Sequence, residues 1–138
     1  MYSDAETALL KACNSIKLAN TIKPGTKLVP NLQTFGITVY ASHAIARMFL
    51  EDFLVSHPRH SYRSHALALI ASLDLMHEDR DSAKNYVKKL LRCLNPDKAS
   101  LVLCSILQAE MNNENIDFKK IKQKQTMIIK KVEQDIKY

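Results

Sequence analysis

The stretch from Arg59 to Pro96 constrains the fold most, because it carries two helical apolar faces joined by one short polar turn. Tyr62, Ala66, Leu69, Ile70 and Leu73 recur at the spacing that sets side chains on one side of a helix. Ala83, Tyr86, Val87, Leu90, Leu91 and Leu94 repeat the pattern, with Lys84, Lys88, Lys89 and Arg92 on the opposite side. Between them His77-Glu78-Asp79-Arg80-Asp81 holds nothing apolar and offers Asp79 or Asp81 as the N-cap of the second helix. The pair reads as an αα-hairpin. Only two glycines and four prolines are present, which favours helices over a fold needing many tight turns.

The remaining segments extend the pattern. Ser3 with Glu6 makes a capping box, and Ala5, Leu9, Ala12, Ile16 and Ala19 then form a face, predicting a helix that stops at Lys23-Pro24-Gly25. Residues 26–30 read as a loop and Asn31 as the next cap. Leu32, Phe35, Val39, Ala46, Phe49, Leu50 and Phe53 form one stripe, and Ile37, Ala44, Ile45 and Met48 partly fill a second, so this helix is expected to be packed from both sides. Gly36 to Tyr40 has strand propensity, but no comparable strand is available to pair with it. Asn95 reads as a cap, Pro96 as a first helical residue and Asp97 as an acid near the helix start. Leu101 to Leu107 is apolar almost all round and is expected to be the most buried helix. After a polar break at residues 111–115, Phe118, Ile121, Ile128, Ile129, Val132 and Ile136 share a face opposite most of the lysines.

The expected architecture is all-α: one domain over residues 1–138, with helices near 4–22, 32–55, 60–76, 81–94, 96–111 and 116–137 stacked as antiparallel αα-hairpins. The last, at about 116–138, is basic and amphipathic. The core is expected to centre on Leu69, Ile70, Leu73, Val87, Leu90, Leu103 and Leu107.

Sliding the chain against itself by 34 residues lays Leu67, Leu69, Ile70 and Leu73 on Leu101, Leu103, Cys104 and Leu107. With Ala71 and Ala83 at small positions, Val87 and Leu90 at later packing positions and Pro96 closing the unit, residues 60–96 resemble a tetratricopeptide repeat. Leu67 stands where that family has an aromatic residue, and Asp74 stands where it has a tyrosine unless the register shifts by one to Leu75. The resemblance implies a tetratricopeptide-like hairpin array, with an irregular helical bundle as the alternative. The family's peptide-clamp residues have no match here, so none is assigned.

No catalytic constellation emerges. His57, His60 and His65 are split by a proline and a helix start, and the two neighbouring arginines suit an anion better than a metal. Glu51 and Asp52, like Glu78, Asp79 and Asp81, are sequence neighbours rather than carboxylates facing across a cleft. Gly25 and Gly36 make no phosphate loop. No catalytic, metal-binding or cofactor-binding residue is assigned, and no cofactor is expected. Cys13, Cys93 and Cys104 read as small buried hydrophobes in a reducing compartment. The N-terminus has no signal or transit character and no run is apolar enough to span a bilayer, so cytoplasm or nucleus is expected and no membrane partner.

Charge is the remaining signal. The chain carries +6, and residues 117–138 hold seven lysines against three acids. Lys119, Lys120, Lys124, Lys130, Lys131 and Lys137 form a basic face that attracts phosphates without reading bases. The sequence therefore points to a non-catalytic protein–protein interaction module, an adaptor or complex subunit that receives a peptide or helix in a groove between helices. Tyr40, Arg47, Arg59, His60, Tyr62 and Arg63 are the candidate contacts. Nucleic-acid association through the lysine face is the alternative.

Overall fold

Side-chain caps set five of the six helix starts. Glu6 N–H donates to Ser3 Oγ at 3.1 Å and Ser3 N–H to Glu6 Oε1 at 2.9 Å, the reciprocal box that opens α1 (Asp4–Thr21). Asn31 accepts from Thr34 N–H and opens α2 (Leu32–Ser56). Asp79 does the same for α4 (Arg80–Leu91), Asp97 for α5 (Lys98–Glu110) and Asp117 for α6 (Phe118–Lys137). Only α3 (Arg63–Met76) begins without a side-chain cap, with Tyr62 at its N-cap position. The computed structural model describes residues 1–137, which contain these six helices and no strand. Gly36 to Tyr40 is accordingly helical, and Tyr138 lies outside the described residues.

Helix α6 starts at Phe118 rather than 116, and three other boundaries differ from expectation for a local reason. Helix α3 starts at Arg63 rather than near residue 60, because a turn forms first: Arg63 N–H donates to the His60 carbonyl and Tyr62 N–H to His60 Nδ1. Helix α4 ends at Leu91, not Leu94. Arg92 N–H reaches back only to the Lys89 carbonyl and Cys93 N–H to that of Leu90, a tightened last turn. Asn95 then takes a left-handed φ of 52° that redirects the chain and leaves Leu94 outward in solvent. At the start of α5, Asp97 is the cap and Pro96 stands outside the helix.

Packing is organised by α3. Every residue from Ser64 to Leu75 is buried, because α2, α4, α5 and α6 all pack against this helix. The expectation that residues 101–107 form the most buried helix is corrected: α5 turns Leu103, Cys104 and Leu107 inward but leaves Leu101 and Val102 exposed. The expected core residues Leu69, Ile70, Leu73, Val87, Leu90, Leu103 and Leu107 are all buried, within one apolar cluster that draws on all six helices. Helix α2 is not covered on both sides, since Ile37, Tyr40, Ile45, Met48 and Val55 face outward. Phe118 is also outward rather than on the docked face of α6, which consists of Ile121, Ile128, Ile129 and Val132.

The final helix does not merely extend the stack. It packs on α5 and also lies back across α1 and α3, whereas an open solenoid joins each unit only to its neighbours. Lys17 on α1 pairs with Glu133 on α6 at 3.0 Å. Beneath that pair, Asn20 Nδ2 donates to Gln125 Oε1 at 3.0 Å, and Gln125 Nε2 donates to Ser72 Oγ at 2.8 Å. Gln125 and Ser72 are fully buried, so this relay ties α1, α6 and α3 together. No described helix is long and apolar enough to cross a membrane.

Leu90 is fully buried on α4, so Leu90→Ala is expected to destabilise by about 2–5 kcal/mol. Urea denaturation measures it, and a loss below about 1 kcal/mol would contradict the packing of α4 described here.

Candidate functional site

The α3–α4 hairpin is antiparallel, so the start of its first helix lies beside the end of its second. That arrangement sets the turn before α3, carrying Pro58, Arg59 and His60, against the turn after α4, carrying Arg92 and Asn95. The walls are joined where the Asp97 N–H donates to Ser64 Oγ at 3.0 Å. Between them opens a pocket of about 610 Å³ lined by Arg59, His60, Arg63, Ser64, Arg92 and Asn95, among others. A second depression, of about 520 Å³, shares Pro58 and Arg63 with the first and is walled by Leu54, Val55, Leu67 and Tyr86. Together they make a groove, cationic at one end and mixed at the other, where Leu54, Val55, Leu67 and Tyr86 stand with Glu51 and Lys89.

The cationic end is uncompensated. Among the described residues no carboxylate lies within ion-pair distance of Arg59, Arg63 or Arg92. Asp97, beside the walls, is turned inward to Ser100, Lys131 and His65. Burial pushes the Asp97 carboxyl up, but the Lys131 ammonium, His65 and the Ser100 N–H outweigh it and hold it below its ordinary value. At the mixed end, Glu51 is held by Arg47.

Arg59, His60 and Arg63 are thus brought together, whereas the other expected contacts lie elsewhere. Tyr62 is half-buried: its ring stacks on His60 at 5.5 Å and meets His65 edge-on at 4.9 Å. His57 and His60 also pack about Phe53, so these histidines serve as aromatic packing at the α2–α3 turn. Tyr40 is exposed, on the outer side of α2, with its ring edge against His77.

Arg47 is committed inside the fold. Its Nε donates to Asp74 Oδ1 at 2.6 Å and its Nη2 to Asp74 Oδ2 at 3.2 Å, while Nη1 reaches Glu51. The Ser82 hydroxyl donates to Asp74 Oδ2 at 2.5 Å, and the guanidinium lies over the Tyr86 ring. The hydrogen bond to Asp74 is the main reason the Arg47 pKa is raised. The residue therefore clamps α2 to α3 and α4.

Sequence reasoning missed Ser64, Arg92 and Asn95. The hairpin pattern carried the signal for Arg92, since an antiparallel pair brings it near Arg63. No spacing rule places Asn95 or Ser64 in a pocket wall.

The basic face of α6 is partly used within the fold. Lys131 pairs with Asp97 and Lys137 with Glu133, and Lys124 Nζ approaches Met127 Sδ. Lys119, Lys120 and Lys130 are exposed. In comparisons of the chain with protein-family models, with curated proteins and with solved structures, nothing matches.

Two polar buried sites give measurable expectations. Arg47→Ala strands the Asp74 carboxylate, which is 5 % exposed. Removing one partner of a buried pair costs about 3–5 kcal/mol, and discounting for the part-exposed guanidinium leaves about 2–4 kcal/mol in urea denaturation.

His43 is buried under His77, with Nδ1 and Nε2 of the two rings 2.8 Å apart. Burial first, then His77 and Lys122, lowers its pKa from 6.5 to about 4. The unfolded chain binds that proton more readily, so stability is full above pH 6.5 and falls as pH drops toward about 4. His65, also lowered mainly by burial, acts in the same direction. Urea midpoints near pH 7 and near pH 5 should show the decline, and His43→Leu should reduce it.

Proposed function

We propose that this chain is a non-catalytic protein-interaction module, an adaptor or subunit of a larger assembly. It takes an acidic segment of a partner protein into the groove between the turn before α3 and the turn after α4. The observation that carries this reading is the set of three guanidiniums, Arg59, Arg63 and Arg92, gathered in one pocket without a carboxylate partner among the described residues. Positive charge so concentrated is a standing cost to the folded chain and attracts anionic partners over a Debye length. The adjoining depression, lined by Val55 and Tyr86 as well as Glu51 and Lys89, supplies contact area that charge alone does not. The tetratricopeptide-like reading of residues 60–96 is compatible with such a groove and adds no residue to it.

Cytoplasm or nucleus is the compartment we assign, on the strength of three free cysteines, two of them buried. Nucleic-acid association through α6 ranks second. Lys131 and Lys137 are engaged in ion pairs, which takes two of the seven lysines of residues 117–138 out of the set that could face phosphates.

Affinity capture from cell extract compares the parent with the variant Arg59→Glu, Arg63→Glu, Arg92→Glu. A stoichiometric protein retained by the parent and lost by the folded variant is the expected result, and equal retention by both would overturn the assignment of this groove. Lys119→Glu, Lys120→Glu and Lys130→Glu together should leave capture unchanged. Tight, sequence-selective nucleic-acid binding by the parent at about 0.15 M salt, lost in the lysine variant, would instead favour the second reading.

A further inference from the structure

The cationic end of the groove is built from more than surface arginines. Arg59 and Arg63 come from the start of the α3–α4 hairpin and Arg92 from its end, so the three guanidiniums reach the pocket from two separate turns of the chain. His60 and Ser61 stand on the first wall and Asn95, in its left-handed conformation, on the second. Ser64 lies in the pocket lining yet is only 5 % exposed. Its oxygen accepts from the Asp97 N–H, while its hydroxyl proton finds no acceptor among the described residues. The first turn of α3 belongs to the same wall, and α3 is the one described helix whose N-terminus no side chain caps. An acceptor-rich anion in the pocket would meet three arginines, the Ser64 hydroxyl and the positive end of a helix dipole.

A single carboxylate is planar and occupies one such fork. A phosphate monoester carries about −1.5 to −2 charges at neutral pH and three acceptor oxygens, and so engages donors arriving from several directions. The remainder of the groove argues for the carrier. A depression of mixed character, lined by Glu51, Tyr86 and Lys89 and with Val55 as its exposed apolar residue, is continuous with the cationic pocket through Pro58 and Arg63. An extended peptide presents a phosphate and, on a neighbouring residue, an apolar side chain, which suits a cationic pocket beside Val55. Tyr86 is already covered by Arg47 and Lys89, which leaves its ring poorly placed to stack a nucleobase.

We propose that this groove binds a phosphorylated segment of a partner protein, with the phosphate of a phosphoserine or phosphothreonine among Arg59, Arg63, Arg92 and Ser64 and a neighbouring apolar side chain against Val55. The inference rests on the interaction reading above and adds the chemistry of the partner.

The test uses the full chain and a degenerate nonapeptide library with a fixed central phosphoserine. Matching libraries carry serine or glutamate at that position, and single-stranded RNA and phosphoinositide vesicles form further arms. The phosphoserine library should bind at least about tenfold more tightly than either counterpart, because the glutamate loses charge-assisted hydrogen bonds. Inorganic phosphate at millimolar concentration should compete. Arg63→Gln and Arg92→Gln should each abolish the preference, and Arg63→Lys should not restore it, since an ammonium lacks the fork. Circular dichroism establishes that each variant is folded.

Equal binding of the glutamate and phosphoserine libraries overturns the proposal, as does stronger binding to RNA or to vesicles. If those results are obtained while the triple arginine variant still loses its captured partner, the phosphate inference fails and the interaction reading stands. If the triple variant keeps its partner, both fail at this groove.

Discussion

Helix α3 has no solvent face, and that constraint governs the rest of the molecule. A helix enclosed from Ser64 to Leu75 carries polar groups inside that call for partners, and apart from the ring nitrogens of His65 they find them on neighbouring helices. Asp74 finds Arg47 on α2 and Ser82 on α4, Ser72 finds Gln125 on α6, and Ser64 finds the Asp97 N–H at the start of α5. Each surrounding helix is thereby held to α3 by one directional bond as well as by apolar contact. Apolar packing alone tolerates a slide of one turn, whereas a buried carboxylate that loses its arginine is penalised heavily. The polar residues of α3 act as register pins.

The candidate groove follows from those pins. Its two walls are turns, the most variable parts of a helical chain, but they are carried on the ends of the α3–α4 pair and joined by the Ser64 contact to Asp97. Asp97 is in turn fixed by Ser100 and Lys131, so α5 and α6 both support the wall from behind. The basic residues thus divide into two kinds. Arg47, Arg80, Lys17 and Lys131 hold helices together, Arg80 by donating to the Met111 and Asn113 carbonyls at the end of α5. Arg59, Arg63 and Arg92 form no ion pair among the described residues.

Much of the architecture was legible in the sequence. The face Ala5, Leu9, Ala12, Ile16 and Ala19, the capping box at Ser3, the caps at Asn31 and Asp79, and the core residues of the hairpin all appear where periodicity put them. Arg59, His60 and Arg63 were legible as a basic cluster, though not as one half of a pocket. The misreadings share one cause. Uniform apolarity made residues 101–107 look innermost, yet burial depends on how many neighbours surround a helix: α3 is enclosed by four, and α5 keeps an open side at Leu101 and Val102. The second apolar stripe of α2 likewise has no helix of this chain against it. Arg47 looked like a contact residue because nothing within its own helix predicts a carboxylate arriving from α3.

By itself, then, the sequence determined what is local: where helices start and stop, to within a turn, and which residues share a face. Those properties depend on side chains three or four positions apart and on caps that satisfy the first free N–H groups, all within reach along the chain. Only the tertiary structure decided which faces are covered, which charges are neutralised and which turns meet. These are set by contacts between residues tens of positions apart, such as Arg47 with Asp74, Ser72 with Gln125 and Ser64 with Asp97. Helical periodicity carries no record of such distances, so a lysine bound to Asp97 and an arginine without an ion pair read alike until the helices are packed.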